Sequence, residues 1–320
     1  MSTPGGSLFD VQVTALRLEA EGVVSLELQA PDRAALPAWG PGAHVDLLLP
    51  SGTLRQYSLC GDPDDRRRLR LAVLLEPQGR GGSREVHQLR CGQRLQVRGP
   101  RNAFVLAPAP AYQFVAGGIG ITPILAMARA AQRAGVPWRL VYGGRSRASM
   151  AFVDELHRLG GDAVTLVQAD EQGPLDLQRL VATAAQGVPT YACGPGGLLD
   201  ALGSCFAAAG LGAQLHVERF APPAPPRPAA GTAPLQVRLA RSGTVVPVLP
   251  EQSILAALRS AGHTVPSSCE QGICGQCETR VLDGVPEHHD QLLTDGERAR
   301  GDVMMLCVSR ACTPTLTLDL

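Results

Sequence analysis

The stretch "CEQGICGQC" (Cys269–Cys277) places three thiols within nine residues of a 320-residue chain that carries nine cysteines in all. A fourth thiol, Cys307, is separated from Cys277 by twenty-nine residues, so three sulfurs come from one loop and one from a remote segment. Gly272 and Gly275 sit between the thiols. A loop wrapped tightly around a shared centre needs such permissive backbone, with amides able to point at sulfur. The cysteine count is odd, and the start, "MSTPGGSLFD", has neither the basic residues nor the apolar run of a secretory signal. In a reducing cytoplasm, where this reading places the chain, clustered thiols ligate metal more often than they pair.

The order Cys269, four residues, Cys274, two residues, Cys277 and a distant Cys307 is the ligand spacing of plant-type 2Fe-2S ferredoxins. Zinc sites instead show two short paired knuckles, so the four cysteines are expected to hold a 2Fe-2S cluster. Cys312, five residues beyond Cys307, is read as a small core residue. The flanks agree: "QVRLARSGTVVPV" reads as a hairpin, and "SILAALRSAG" as an amphipathic helix starting near Ser253. Residues 235–320 are therefore expected to form an α+β, β-grasp ferredoxin domain.

Upstream of it, residues 221–234, "APPAPPRPAAGTAP", cannot bury a core. They read as a polyproline linker able to span about 40 Å. Residues 1–107 contain short alternating segments such as "VQVTALRLEA", "HVDLLLP" and "LRLAVLLE" between Gly, Pro and Asp turns, the pattern of an antiparallel barrel. In residues 108–220 the texture changes. "YQFVAGG", "WRLVYGG" and "PTYACGP" are short strands alternating with helical segments such as "TPILAMARAAQRAG", which predicts a doubly wound α/β domain. The chain is thus multidomain. The balance of 29 basic and 29 acidic residues excludes a general electrostatic footprint for nucleic acid or anionic lipid. The most apolar stretch, "FVAGGIGITPILAMA", is broken by three glycines and a proline and is too short to span a bilayer.

Short motifs carry the upstream chemistry. In "RQYSLC" (Arg55–Cys60), Arg55 has the planar fork that grips two phosphate oxygens at once. Gln56, Tyr57 and Ser58 follow on the same strand. "GRGGSREVHQL" (Gly79–Leu89) is a turn built of Gly79, Arg80, Gly81 and Gly82, feeding a short helix with Ser83 as its N-cap. Free amides at a helix start attract anions. Standing alone, Arg55 reads equally as a solvated strand residue and the turn as a plain loop. "AGGIGITP" (Ala116–Pro123) lies between a predicted strand and a predicted helix, where Gly117, Gly118 and Gly120 let backbone approach a pyrophosphate. "YACGP" ends a later strand with Cys193, Gly194 and Pro195, and "YGGRSR" offers Arg145, Ser146 and Arg147 after the second strand of this half.

Taken together and in this order, the motifs resemble the phthalate dioxygenase reductase-like flavin and iron-sulfur reductases, a family that includes vanillate demethylase reductases, over nearly the whole chain. The resemblance implies that Arg55 and residues 79–83 hold a flavin phosphate, while Gln56, Tyr57 and Ser58 line the isoalloxazine. Because this family carries its ferredoxin at the C-terminus, the resemblance implies FMN rather than FAD. "YACGP" resembles the segment that holds nicotinamide near the flavin, with Cys193 closest to the transfer. Thr122 accompanies it, and Phe220, closing "HVERF", is the aromatic residue that shields the flavin. Arg145 and Arg147 suit a ribose phosphate, but the family's usual donor is NADH, and NADH is expected here.

The resemblance further implies a monomer whose partner is the terminal oxygenase of a Rieske system acting on an aromatic or related small compound. A cytochrome P450 is the other partner considered. A different class of function, an electron-carrying binding module without NADH turnover, is weighed against by the intact "RQYS", "GGIGITP" and "YACGP" motifs. Two other segments attract notice. "EHHDQLLTDGER" pairs His288 and His289 beside Asp290; four cysteines already satisfy two irons, so it reads as a surface turn, with a second histidine where the family usually has arginine. "DDRRRLR" (Asp64–Arg70) reads as a solvated hairpin tip whose basic edge suits an acidic partner.

Overall fold

Successive side chains of a strand point to opposite faces, and the first hundred residues use that alternation to build one core. The contributing strands are β1 (Phe9–Ala20), β2 (Val23–Gln29), β3 (His44–Leu48), β4 (Leu54–Ser58), β5 (Leu69–Leu74) and, after the short helix α1 (Gly82–Val86), β6 (Arg94–Arg101). Val11 and Val13, Leu26 and Leu28, Val45 and Leu47, Leu69 and Leu71, and Leu95 and Val97 all turn inward. The antiparallel order is β4-β3-β6-β1-β2-β5, and an isolated bridge between Leu59 and Leu71 joins the two edges into the expected barrel.

This computed structural model describes residues 8–220, 235–267, 270, 272, 275–290 and 292–320, and the chain divides into two units, the first closing at Phe220. Within the first unit, the barrel is followed by β7 (Tyr112–Gly117), α2 (Ile121–Arg133), β8 (Trp138–Gly144), α3 (Val153–Gly160), β9 (Val164–Gln168), α4 (Ala169–Gln172), α5 (Leu177–Ala182), β10 (Thr190–Cys193), α6 (Gly196–Ala208) and β11 (Leu215–Glu218). The five strands are parallel in the order β11-β10-β7-β8-β9. The winding reverses between β7 and β10, the switch point at which doubly wound sheets bind ligands. Helix α2 is buried along most of its length, from Ile121 to Ala128, because it is covered on both sides. Its apolar residues join Phe114, Tyr142 and Tyr191 of the sheet and Val23, Cys60 and Ala72 of the barrel in one cluster.

In the second unit, β12 (Leu235–Leu239) and β13 (Val245–Val248) form the expected hairpin. Helix α7 (Ile254–Ser260) starts where the sequence places it, with the Ser253 hydroxyl accepting from Ala256 N at 3.1 Å. Then come β14 (Glu278–Asp283), β15 (Pro286–Glu287), α8 (Asp295–Arg300), β16 (Val303–Met305), β17 (Arg310–Ala311) and β18 (Thr315–Leu318). The first and last strands, β12 and β18, lie side by side and parallel. Ile254, Leu255, Ala257 and Leu258 of α7 pack with Leu316 and Leu318 in its core. Cys312 is exposed rather than a core residue, because it follows the two-residue strand β17 at the edge of the β15–β17 pair.

Candidate functional site

The barrel presents Arg55 and Ser58 at opposite ends of β4. Arg55 donates to the carbonyls of Leu54 at 2.9 Å and Arg80 at 3.2 Å, which ties the strand to the glycine-rich turn. A methyl group on Gly82 would stand 2.7 Å from Arg55 Cγ and Nε, so only glycine leaves room for the guanidinium to lie against the start of α1. Gly79 closes the turn by donating to Glu76 O at 3.0 Å. The N-cap of α1 is Gly81, at φ 86°. Ser83 is not the cap: it stands inside the helix, and its hydroxyl accepts from Glu76 N at 3.0 Å. A turn that needs left-handed backbone at its cap favours glycine over serine.

Beside Arg55, Gln56 Nε2 is buried and without a partner among the described residues, and burial raises the Tyr57 phenol to about 12. On the neighbouring strand β3, Asp46 lies opposite Gln56. It is fully buried, pairing with Arg98 Nη2 at 2.8 Å and Arg101 Nη2 at 2.6 Å. His44 is pushed down to about 4, first by burial and then by Arg101. Sequence reading missed this charged layer beside β4. The alternation of β3 puts Asp46 on the face opposite Val45 and Leu47, so only its two arginine partners mark it as buried.

At the switch point the two glycine motifs meet. A methyl group on Gly120 would collide with the Cys193 carbonyl, and Gly194 packs on Gly117 so closely that its own Cβ would stand 3.1 Å from Gly117 Cα. Gly117, Gly120 and Gly194 are thus required by the approach of one turn to the other. Gly118, at φ 53° with open space around it, is the position that leaves backbone accessible. The Thr122 hydroxyl donates back to Ile119 O at 3.0 Å and fastens the turn. On the next turn, Arg147 pairs with Asp154 at 2.9 Å, while Ser149 Oγ accepts from Ser146 N at 3.1 Å and donates to Ser146 O at 2.9 Å. Arg145 is exposed.

Cys193 and Glu218 are register partners at the C-terminal ends of β10 and β11. Burial pushes the Cys193 thiol well above its ordinary value, and Glu218 adds to the rise, so Cys193 is a neutral, inert thiol suited to a positional role. Glu218 itself is raised to about 8 by burial, opposed by the influence of Ser58 of the barrel. A carboxyl from the last parallel strand thus stands near the end of β4 and borders Cys193. Sequence reading singled out Phe220 of "HVERF" and passed over Glu218. The available signal was a carboxylate at the C-terminal end of the final strand, where such sheets bind ligands. Phe220 follows two residues later and is 41% exposed.

In the second unit, Cys277 and Cys307 are buried at 3% and 8% exposure and lie near each other across β14 and β16, with Leu306 N donating to Cys277 O at 3.2 Å. Gly272 N donates to Cys307 Sγ at 3.3 Å. Gly272 and Gly275 both take positive φ, 69° and 73°, and a methyl group on Gly272 would stand 2.6 Å from Val308 Cγ2. Buried sulfurs, an amide directed at one of them and glycines that admit no side chain fit a cluster of thiolate-bound iron. Cys269 and Cys274 lie outside the described residues. The segment after β15 does not form a surface turn: Asp290 is fully buried, its Oδ2 accepting from Leu292 N and Leu293 N at 3.1 and 2.9 Å, and His288 is only 7% exposed. The carboxylate turns inward because it caps the amides of the loop that backs Gly272.

Residues 237–312 match the 2Fe-2S iron-sulfur cluster binding domain family, and residues 114–202 the oxidoreductase NAD-binding domain family. The chain is 45% identical to the phenoxybenzoate dioxygenase subunit beta of Ectopseudomonas oleovorans, over 97% of both proteins. Among solved structures, phthalate dioxygenase reductase, described as a modular structure for electron transfer from pyridine nucleotides to [2Fe-2S], is 36% identical with a TM-score of 0.73, over 98% of each chain. An intact type IV self-sufficient cytochrome P450 monooxygenase is 44% identical with a TM-score of 0.87; this chain is covered over 98% but spans only 41% of that one. The chain belongs to the phthalate dioxygenase reductase-like family of NAD-dependent iron-sulfur oxidoreductases, and no helix among its described residues is long and apolar enough to cross a membrane.

Proposed function

We propose that this family member is the reductase component that takes electrons from NADH and delivers them, through FMN and a 2Fe-2S cluster, to a Rieske-type terminal oxygenase acting on an aromatic or related small compound. The observation that supports the reading is the single buried core that joins Val23, Cys60 and Ala72 of the barrel to Ile121, Tyr191 and Cys193 of the parallel-sheet half, which sets the end of β4 beside the two glycine turns. Bound FMN supplies the conversion of a two-electron donor into single electrons that a 2Fe-2S cluster can carry.

In this reading Arg55, with Gly79, Arg80, Gly81, Gly82 and Ser83, grips the flavin phosphate, and Gln56, Tyr57 and Ser58 orient the ring system. The unpartnered Gln56 Nε2 is a donor available to it. Gly117, Gly118 and Gly120 admit the pyrophosphate of NADH, with Arg145 and Ser146 at its ribose. Thr122 holds that turn closed. Cys193, Gly194 and Pro195 shape the nicotinamide pocket, and Phe220 would shield the flavin. Cys269, Cys274, Cys277 and Cys307 hold the cluster. The domains run 1–107, 108–220 and 235–320, with 221–234 as the tether, in a cytoplasmic monomer. The pairing of Arg147 with Asp154 leaves one fewer cation for a 2′-phosphate and supports NADH.

The likeness to a self-sufficient P450 monooxygenase supports a second partner, a cytochrome P450. Anaerobic addition of NADH to the purified protein tests the core of the reading: flavin and cluster bands both bleach if it is a reductase, whereas an unchanged spectrum points to an electron-carrying module without NADH turnover. Purification of the reductase from its host with its bound partner distinguishes the oxygenases, since haem and Rieske centres differ in absorption and in metal-to-sulfide ratio.

A further inference from the structure

We propose that Arg70 is a positioning residue: a single guanidinium that locks the nucleotide-binding half of the first unit onto the barrel and so sets how the nicotinamide turns face the flavin strand. The proposal rests on the reading above that the barrel carries the flavin and the α/β half carries NADH.

Arg70 belongs to β5. Its carbonyl accepts from Cys60 N at 2.9 Å and from Cys60 Sγ at 3.4 Å, two residues after Ser58, so its backbone is pinned beside the end of the flavin strand. Its side chain then crosses the seam. Nη2 donates to Glu19 Oε1 of β1 at 2.8 Å, Nη1 donates to Glu155 Oε2 of α3 at 2.9 Å, and the guanidinium lies over the Phe152 ring, 4.7 Å from its centroid. Glu155 also pairs with Arg129 of α2. Helix α2 leads directly from the Gly117–Gly120 turn, and α3 follows the turn of Arg145 and Ser146. One fork thus connects the end of the flavin strand to both helices that carry the nucleotide turns.

Two observations separate this from an incidental surface pair. The four side chains Arg70, Glu19, Glu155 and Arg129 are 15%, 15%, 22% and 21% exposed, and their two positive and two negative charges balance. Exposed pairs contribute little, but removing one member of a desolvated network strands the others without partners. The second observation is the backbone of Phe152, which takes φ 63° at the N-cap of α3. A bulky side chain seldom adopts that conformation and keeps it only where its surroundings demand it. Here the ring must lie flat beneath Arg70, a contact favoured by the attraction of a cation to an aromatic face. Lysine would not serve, because one planar fork must reach two carboxylates while stacking.

The test uses the full FMN- and cluster-loaded protein, with Arg70→Met, which keeps an apolar stem, and Glu155→Gln, which removes the negative charge that holds Arg70 and Arg129 on the α3 side and leaves the barrel untouched. Arg68→Ala is the control, since Arg68 is half exposed and, among the described residues, pairs only with Asp65 and Glu27 inside the barrel. Expected in both variants are unchanged affinity for NADH, a limiting rate of anaerobic flavin bleaching lowered about ten- to a hundredfold, an altered isotope effect with 4-deuterated NADH, and faster amide hydrogen exchange in 60–71 and 153–160. Arg68→Ala changes none of these. Should Arg70→Met not fold, Glu155→Gln decides alone. Wild-type rate, isotope effect and exchange in folded Glu155→Gln, or an equal drop in Arg68→Ala, would overturn the proposal. Whether NADH bleaches the wild-type flavin at all tests the reductase reading separately, and exchange at the seam reads the lock in either case.

Discussion

Replacing Glu218 by glutamine keeps the size of the side chain and removes its proton equilibrium, which makes the substitution a direct probe of the seam between the barrel and the parallel sheet. Burial raises this carboxyl from 4.5 to about 8. The unfolded chain therefore loses the proton above pH 4.5, while the folded chain holds it until about pH 8. Over that window the folded state binds one more proton, and stability falls as pH rises, by about 1.4 kcal/mol per pH unit. The contribution is fully present below pH 4.5 and is lost by about pH 8, a total of about 5 kcal/mol, of which about 3 kcal/mol falls between pH 6 and pH 9. Both tryptophans, Trp39 and Trp138, lie in the first unit, so urea unfolding followed by tryptophan fluorescence reads that unit without the ferredoxin. The wild type should lose about 3 kcal/mol more than Glu218→Gln between those two pH values, with every other titrating group cancelling in the comparison. Parallel profiles for the two proteins would refute a buried, protonated Glu218.

Two further outcomes are expected. Gly82→Ala places a methyl group 2.7 Å from Arg55 Cγ and Nε, so the guanidinium must move off its seat; titration of the flavin-stripped protein with FMN should show affinity lowered about tenfold or more, about 1.4 kcal/mol at least, with the fold intact by circular dichroism. Cys307→Ala removes the sulfur that accepts the Gly272 amide; purified protein should lack acid-labile sulfide and cytochrome c reduction while ferricyanide reduction by the flavin half persists, and equal loss of both activities would contradict electron exit through the cluster.

Much of this was legible without coordinates because it is local. The period-two alternation of "LRLAVLLE" and of the first residues of "VQVTALRLEA" is the barrel core itself, since each inward residue is selected by the pleat, whereas a register shift after Val13 interrupts it in β1 and leaves Leu18 77% exposed. "YQFVAGG" and "WRLVYGG" coincide with β7 and β8, and Ser253 caps α7 as its residue type and position suggest. Two of the readings that failed concern which polar and charged residues are buried. Arg70 was read as part of a solvated tip, yet it lies across the seam between two carboxylates. His288 and Asp290 were read as a surface turn, yet Asp290 is fully buried. Ser83 was read as a cap, yet Gly81 takes that place, because the cap requires a positive φ.

The chain's own order of residues determined the cysteine spacing, the three-block architecture, the glycine turns and the class of cofactors they suit, because each of these depends on backbone geometry within a few consecutive residues or on a recurring period. Only the tertiary structure decided that Glu218 borders Cys193, that Arg70 joins β1, β5 and α3, and that Asp46 is sealed beside β4 by two arginines. A buried charge is set by partners brought from distant segments, and the cost of desolvating it is repaid only once those partners have arrived.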